Sequence, residues 1–185
     1  MDTVEAAFAA VPRAGFLPRG ARHRAGEDGP LAIGHGQTNS QPSTVAAMLR
    51  LLDVHPGQRV LDVGAGSGWT TALLAHLTGP EGEVVGVELE PELARWGAAN
   101  LAATGKGWAQ LRPSVPGELG VPARAPYDRI LVSAGAAEVP AALLDQLGDP
   151  GRLVIPVDGT MTLLTRTRGY DEITHHGSYR FVPLR

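Results

Sequence analysis

The 185-residue chain contains no cysteine, which removes disulfides, thiolate metal sites and a cysteine nucleophile together. That absence suits a reducing compartment. No stretch approaches the roughly twenty apolar residues that a membrane span needs. The opening Met1-Asp2-Thr3-Val4-Glu5 has no basic start followed by an apolar run. The cytoplasm is therefore the expected compartment, with no membrane partner. Net charge is only −3 and the sequence pI is near 6.0, which argues against a broad nucleic-acid footprint. Histidines 23, 35, 55, 76, 175 and 176 include no i,i+4 pair enclosing a glutamate, so no metal site is expected. Internal repeats and low-complexity segments are also missing.

What is present fits one globular domain. Apolar residues make up 43% and mean hydropathy is −0.03, while the length is too short for two comfortable cores. The most informative stretch is Val60-Leu61-Asp62-Val63-Gly64-Ala65-Gly66-Ser67-Gly68-Trp69. It reads as a buried strand ending on an acid, then a glycine turn, then a helix start. Glycines there let the backbone bend sharply and approach a ligand. About twenty residues on, the apolar strand Val84-Val85-Gly86-Val87 ends in Glu88, where a carboxylate can accept hydrogen bonds from both ribose hydroxyls of a nucleoside cofactor.

Two cofactor classes compete for that arrangement. The dinucleotide fingerprint is G-x-G-x-x-G facing a pyrophosphate. Here the spacing is D-x-G-x-G-x-G, and the acid at Asp62 would repel a pyrophosphate. An acid suits the cationic amino-acid end of S-adenosylmethionine better. The candidate cofactor-binding residues are therefore Asp62, Gly64, Ala65, Gly66, Ser67, Gly68, Glu88 and Leu89. A turn that only connects strand to helix is the plain alternative, and Glu88 at that distance argues against it.

Periodicity supplies the rest of the architecture. Asp2 with Glu5 makes a capping box for a helix to Val11, ended by Pro12. Residues 13–41 lack a clean period and are expected as a long loop that either holds function or is mobile. Within it Arg13, Arg19, Arg22 and Arg24 form either a solvated surface or an attractant for an anionic carboxylate. Pro42 opens the next helix, with Ser40 or Gln41 as its cap. Strands at 59–63, 83–89, 108–112, 127–133 and 151–157 alternate with helices at 67–78, 91–103 and 139–147. Strands at 161–167 and 173–184, separated by residues 168–172, then read as a hairpin. The expected fold is α/β: a doubly wound, mostly parallel seven-stranded sheet, Rossmann-like, with a C-terminal antiparallel hairpin.

Several segments together carry a resemblance: Val11-Pro12-Arg13 with Phe16, Gly34-His35-Gly36-Gln37-Thr38-Asn39-Ser40-Gln41-Pro42, Val60 to Gly68, Pro126 to Ile130, Gly151 to Val157, and Arg180-Phe181-Val182-Pro183-Leu184. In that order they resemble protein-L-isoaspartate O-methyltransferases, a family of class I S-adenosylmethionine-dependent enzymes, over nearly the whole chain. The glycine motif is common to all such methyltransferases, whereas the G-H-G-Q-T-x-S-Q-P segment is far more specific. The resemblance implies methyl transfer to the free carboxylate of isoaspartyl residues in damaged proteins, leaving S-adenosyl-L-homocysteine. It implies Ser40 and Thr38 as catalytic residues and His35, Gln37 and Asn39 as substrate-binding. It also implies one domain over 1–185, with 1–57 giving N-terminal helices and substrate loop and 58–185 the cofactor-binding sheet. A monomer acting on a protein or peptide is expected.

The chain departs from the family at definite places. Asn39 stands where isoleucine is usual, and Ser43 where tyrosine or histidine is usual. A G-D-G acid expected near the cofactor's adenine is replaced by Ser114-Val115-Pro116-Gly117, with Glu118 nearby as a substitute. These departures leave two alternatives: a same-fold methyltransferase for another carboxylate or small molecule, and a catalytically silent cofactor binder.

Overall fold

A computed structural model of the chain describes residues 2–185. The first helix, α1 (Thr3–Ala10), starts at the Asp2–Glu5 capping box that the sequence announces. The region expected as a loop is more ordered than that. Two 3-10 turns at 13–16 and 19–24 precede a small antiparallel hairpin, β1 (Leu31–Gly34) with β2 (Gln37–Asn39). Strands this short, set among glycines, leave no alternation to read. Helix α2 (Pro42–Leu52) follows with proline in its first turn. Gln41 is its N-cap residue, one of the two expected, but the capping hydrogen bond comes from elsewhere: the Ser43 N–H donates to Asp28 Oδ1 at 2.9 Å and Gln41 donates to Asp28 Oδ2 at 3.0 Å.

Alternation then runs β3 (Arg59–Val63), α3 (Trp69–Thr78), β4 (Glu83–Glu88), α4 (Pro91–Ala102), β5 (Ala109–Pro113), β6 (Tyr127–Val132), α5 (Ala141–Leu144) and β7 (Leu147–Val157). Helix α5 is much shorter than the expected 139–147. Leu143 and Leu147 share a helical spacing, but the Leu147 backbone already pairs with Tyr127 of β6. β8 (Thr160–Thr167) and β9 (Tyr170–Ser178) close the sheet as an antiparallel hairpin. The last strand ends at Ser178, six residues before the expected Leu184. Residues beyond it cross to the loop after β6, where Gly135 N–H donates to Val182 O and Leu184 N–H donates to Gly135 O, both at 2.8 Å.

The seven-stranded sheet has the order β5-β4-β3-β6-β7-β8-β9, parallel from β5 to β7 and antiparallel beyond. Successive strand residues go to opposite faces. Val60, Val84, Leu131 and Val154 pack beneath α1, α2, α3 and α4, while Leu61, Val85, Ile130 and Leu153 face Leu143, Tyr127 and the 119–125 loop. Near-continuous apolar strands such as Ile130-Leu131-Val132 follow from burial on both faces. From β3 the chain proceeds to β4 and β5 on one side and later returns to β6 on the other. The reversal opens a crevice at the carboxyl ends of β3, β4 and β6, the usual ligand position in an open α/β sheet. Among the described residues no helix is long and apolar enough to cross a membrane.

Candidate active site

The glycine turn leaves β3 at Val63 and enters α3 at Trp69. Gly64 and Ala65 N–H both donate to Val87 O, at 2.9 and 3.0 Å, which anchors the turn to β4. Gly68 caps α3 in the left-handed region, φ 86°, and a Cβ there would lie 2.8 Å from the Gly97 carbonyl. Glu88 ends β4 beside the turn. Its Oε2 accepts from Gly66 N–H at 2.8 Å and its Oε1 from Glu90 N–H at 3.0 Å. Each oxygen retains a lone pair for a further donor, so the carboxylate is held in place without being saturated.

Asp62 behaves differently from the expectation of direct ligand contact. It is fully buried and does not line the crevice. Oδ2 accepts from Thr70 at 2.9 Å and Thr71 at 2.7 Å, so the acid ties β3 to the first turn of α3. Gly86, its register partner on β4, makes room for Thr71, whose Oγ1 lies 2.8 Å from where a Cβ would sit. Burial pushes the Asp62 carboxyl up to about 6, against the two threonine hydrogen bonds and with help from the nearby Glu88 charge. Its Oδ1 is buried without a hydrogen-bond partner among the described residues.

The opposite wall is built by β2 and the entry to α2. Arg13 organises it. The guanidinium donates to Asn39 Oδ1 at 2.6 Å and to the carbonyls of Glu27, Gly29, Asn39 and Ser40 at 2.8–3.0 Å. It stacks 5.5 Å from the Trp69 ring centre. Arg13 is thus a buried clamp, and the reading of this arginine as a carboxylate attractant is corrected: its donors all face the protein. Asn39 is corrected too. Only 5% exposed, it uses its amide on Arg13 and on Ser67 Oγ, to which Nδ2 donates at 3.1 Å, instead of on a substrate. His35 sits at the exposed tip of the β1–β2 hairpin, φ 54°, 3.4 Å from Glu92, outside the crevice.

Between these walls lies a cavity of about 1160 Å³. Of the residues singled out by sequence, it brings together Gln37, Thr38, Ser40, Gly64, Gly66, Glu88 and Leu89; Asp62, Ala65, Ser67, Gly68, His35 and Asn39 stand behind its surface or away from it. The family model for protein-L-isoaspartate(D-aspartate) O-methyltransferase (PCMT) matches residues 1–185. The chain belongs to this family. A protein-L-isoaspartate O-methyltransferase of Methanopyrus kandleri is 46% identical over 99% of the chain and 83% of its own length. One from Aeropyrum pernix is 51% identical over 82% of the chain, which spans only 58% of that relative. The crystal structure of a Plasmodium falciparum beta-aspartate methyltransferase (PCMT), in complex with S-adenosyl-L-homocysteine, superposes with a TM-score of 0.85 at 25% identity. The match covers 100% of this chain and 91% of that one.

Within this family member, two elements escaped sequence reasoning as parts of the site. Residues 178–185 form one cavity wall, with Arg185 paired to Glu90 at 2.8 Å. Nothing in a strand-like pattern signals that a chain will leave its sheet. The 114–120 loop, to which the family's G-D-G position points, forms another wall with Glu118 on it. Gly97 on α4 is the second missed element: a Cβ there would lie 2.6 Å from Gly66 O, so α4 rests directly on the glycine turn. A lone glycine inside a helical pattern was its available signal.

Proposed function

We propose that this chain is an S-adenosylmethionine-dependent carboxyl methyltransferase that methylates the free carboxylate of L-isoaspartyl residues in damaged proteins or peptides. The observation that carries the reading is one cavity with the Glu88 carboxylate and glycine turn on one side and the Thr38 and Ser40 segment on the other. The residues fit the cofactor: the turn is a cradle that presents Gly64 and Gly66, which carry no Cβ, to the cavity, and Glu88 is fixed yet able to accept from a sugar hydroxyl. Gly64, Gly66 and Leu89 complete that side, while Asp62, Ala65, Ser67 and Gly68 shape the turn from behind. When bound, S-adenosylmethionine supplies an electrophilic methyl on a sulfonium, and S-adenosyl-L-homocysteine remains.

The chain's own residues have little proton chemistry to do. A carboxylate with a pKa of about 4 is ionised at neutral pH, so no general base is required. Thr38 and Ser40 hydroxyls suit the task of donating to that carboxylate and fixing its direction of attack. Because the Asp28 carboxylate accepts from the first turn of α2, the Ser40 hydroxyl is not needed there. Gln37 stands at the cavity edge for the peptide, and Phe181 and Val182 wall off water, which strengthens the electrostatics inside.

One domain divides the labour, with 1–57 presenting the substrate segment and 58–185 the cofactor sheet. A monomer in the cytoplasm is part of this reading, and the cysteine-free sequence suits that compartment. The test uses paired peptides, one isoaspartyl and one normal aspartyl, with methyl-labelled donor. Base-labile label on the isoaspartyl peptide alone supports the reading; label on neither, or on both alike, refutes it.

A further inference from the structure

We propose that Asn39 is a positioning residue through which donor binding at the glycine turn fixes the methyl-acceptor segment, an inference that rests on the functional reading above. Among the described residues the segment carrying Thr38 and Ser40 has no backbone ladder to the main sheet; β2 pairs with β1. Its side-chain connection to the glycine turn runs from Asn39 Nδ2 to Ser67 Oγ at 3.1 Å. On the other side Arg13 donates to Asn39 Oδ1, Asn39 O and Ser40 O at 2.6–3.0 Å, so the amide and the Ser40 backbone move as one unit.

The amide orientation is forced, because Arg13 Nε can only donate and must face the oxygen. An asparagine is the side chain that offers an acceptor to the arginine and a donor to the serine in one rigid plane. The link then continues into the cofactor wall. Ser67 O accepts from Asn100 on α4 at 3.0 Å, and Gly66, next in the chain, donates to Glu88. A ligand drawing on Glu88 and the turn therefore acts on Ser67, and through Asn39 on Ser40. All three side chains in the link are at least nine-tenths buried: Arg13 at 5%, Asn39 at 5% and Ser67 at 2% exposed. Water does not replace a broken member of such a network.

Amide hydrogen exchange of the full chain, with and without saturating S-adenosyl-L-homocysteine, tests the link independently of any substrate. In the wild type the product should slow exchange across residues 37–41 by about three- to tenfold, the scale of one hydrogen bond. Asn39→Leu should lose that transferred protection while still binding S-adenosyl-L-homocysteine within about threefold, and its kcat should fall more than its KM rises. Ser67→Ala breaks the same link from the other end and carries the test if Asn39→Leu does not fold. Asn39→Asp keeps an acceptor for Arg13 and can accept from Ser67, so it should restore the transfer. Protection persisting in both Asn39→Leu and Ser67→Ala, or absent from the wild type, overturns the proposal. Transfer seen in a wild type that methylates no isoaspartyl peptide would leave the link standing and remove the functional reading instead.

Discussion

Gly97→Ala sets two physical effects against each other at one atom. In the interior of α4, alanine is favoured over glycine by about 1 kcal/mol. Against this, the new Cβ would sit 2.6 Å from Gly66 O, 3.0 Å from Leu111 Cδ1 and 3.2 Å from Ser67 C. Leu111 is a side chain and can rotate; the other two atoms are backbone of the glycine turn. Relief needs α4 and the turn to separate by roughly half an ångström, and overpacking of this kind costs about 1–3 kcal/mol. The net stability loss is then about 0–2 kcal/mol, or up to about 8 °C in Tm for a domain of this size. The loss of function should be larger. The displaced carbonyl belongs to Gly66, whose N–H holds Glu88 at 2.8 Å, so the cradle itself opens. S-adenosyl-L-homocysteine affinity by calorimetry should fall at least about tenfold, which is 1.4 kcal/mol. A variant that melts higher and binds as before would show that the turn yields freely and that the α4 contact positions nothing.

Glu88→Gln offers one acceptor where two N–H groups now have an oxygen each, and should weaken S-adenosyl-L-homocysteine about 10- to 100-fold by calorimetry; Glu88→Asp, one methylene short of Gly66, should not rescue it. Ser40→Ala should cut methylation of the isoaspartyl peptide by about 10- to 100-fold at unchanged Tm, whereas Asp28→Ala, removing the carboxylate that accepts from the first turn of α2, should lower stability by about 1 kcal/mol in urea. Asp62 binds its proton more tightly folded, near 6, than the ordinary 3.8, so its contribution makes stability fall as pH rises from about 4 to about 6 and stay level above. Asp62→Asn should flatten that window, by on the order of 3 kcal/mol between pH 4 and pH 7; an unaltered difference in urea midpoints between the two pH values would contradict the buried charge.

The sheet was legible because its signals are local and strong. Val60–Val63 is apolar apart from Asp62, Ile130–Val132 is continuously apolar, and Gly64 to Gly68 followed by Glu88 is a motif readable from its spacing alone. Pro42 and the Asp2–Glu5 box mark their helices for reasons internal to a few residues. The sequence by itself therefore determined the α/β alternation, the glycine turn and its acidic neighbour, and the segment bearing Thr38 and Ser40.

Tertiary structure decided which way the side chains point. Asp62 points inward, where its Oδ2 accepts from Thr70 and Thr71, and Asn39 does so because Arg13, twenty-six residues earlier, needs an acceptor. The capping hydrogen bond of α2 came from Asp28, the helix at 141–144 was cut short by strand pairing at Leu147, and residues 178–185 became a cavity wall by leaving the sheet. Each of these depends on partners distant in the chain. Local spacing encodes periodicity and motifs, but hydrogen-bond satisfaction in a buried site is settled only when the whole fold brings its donors and acceptors together.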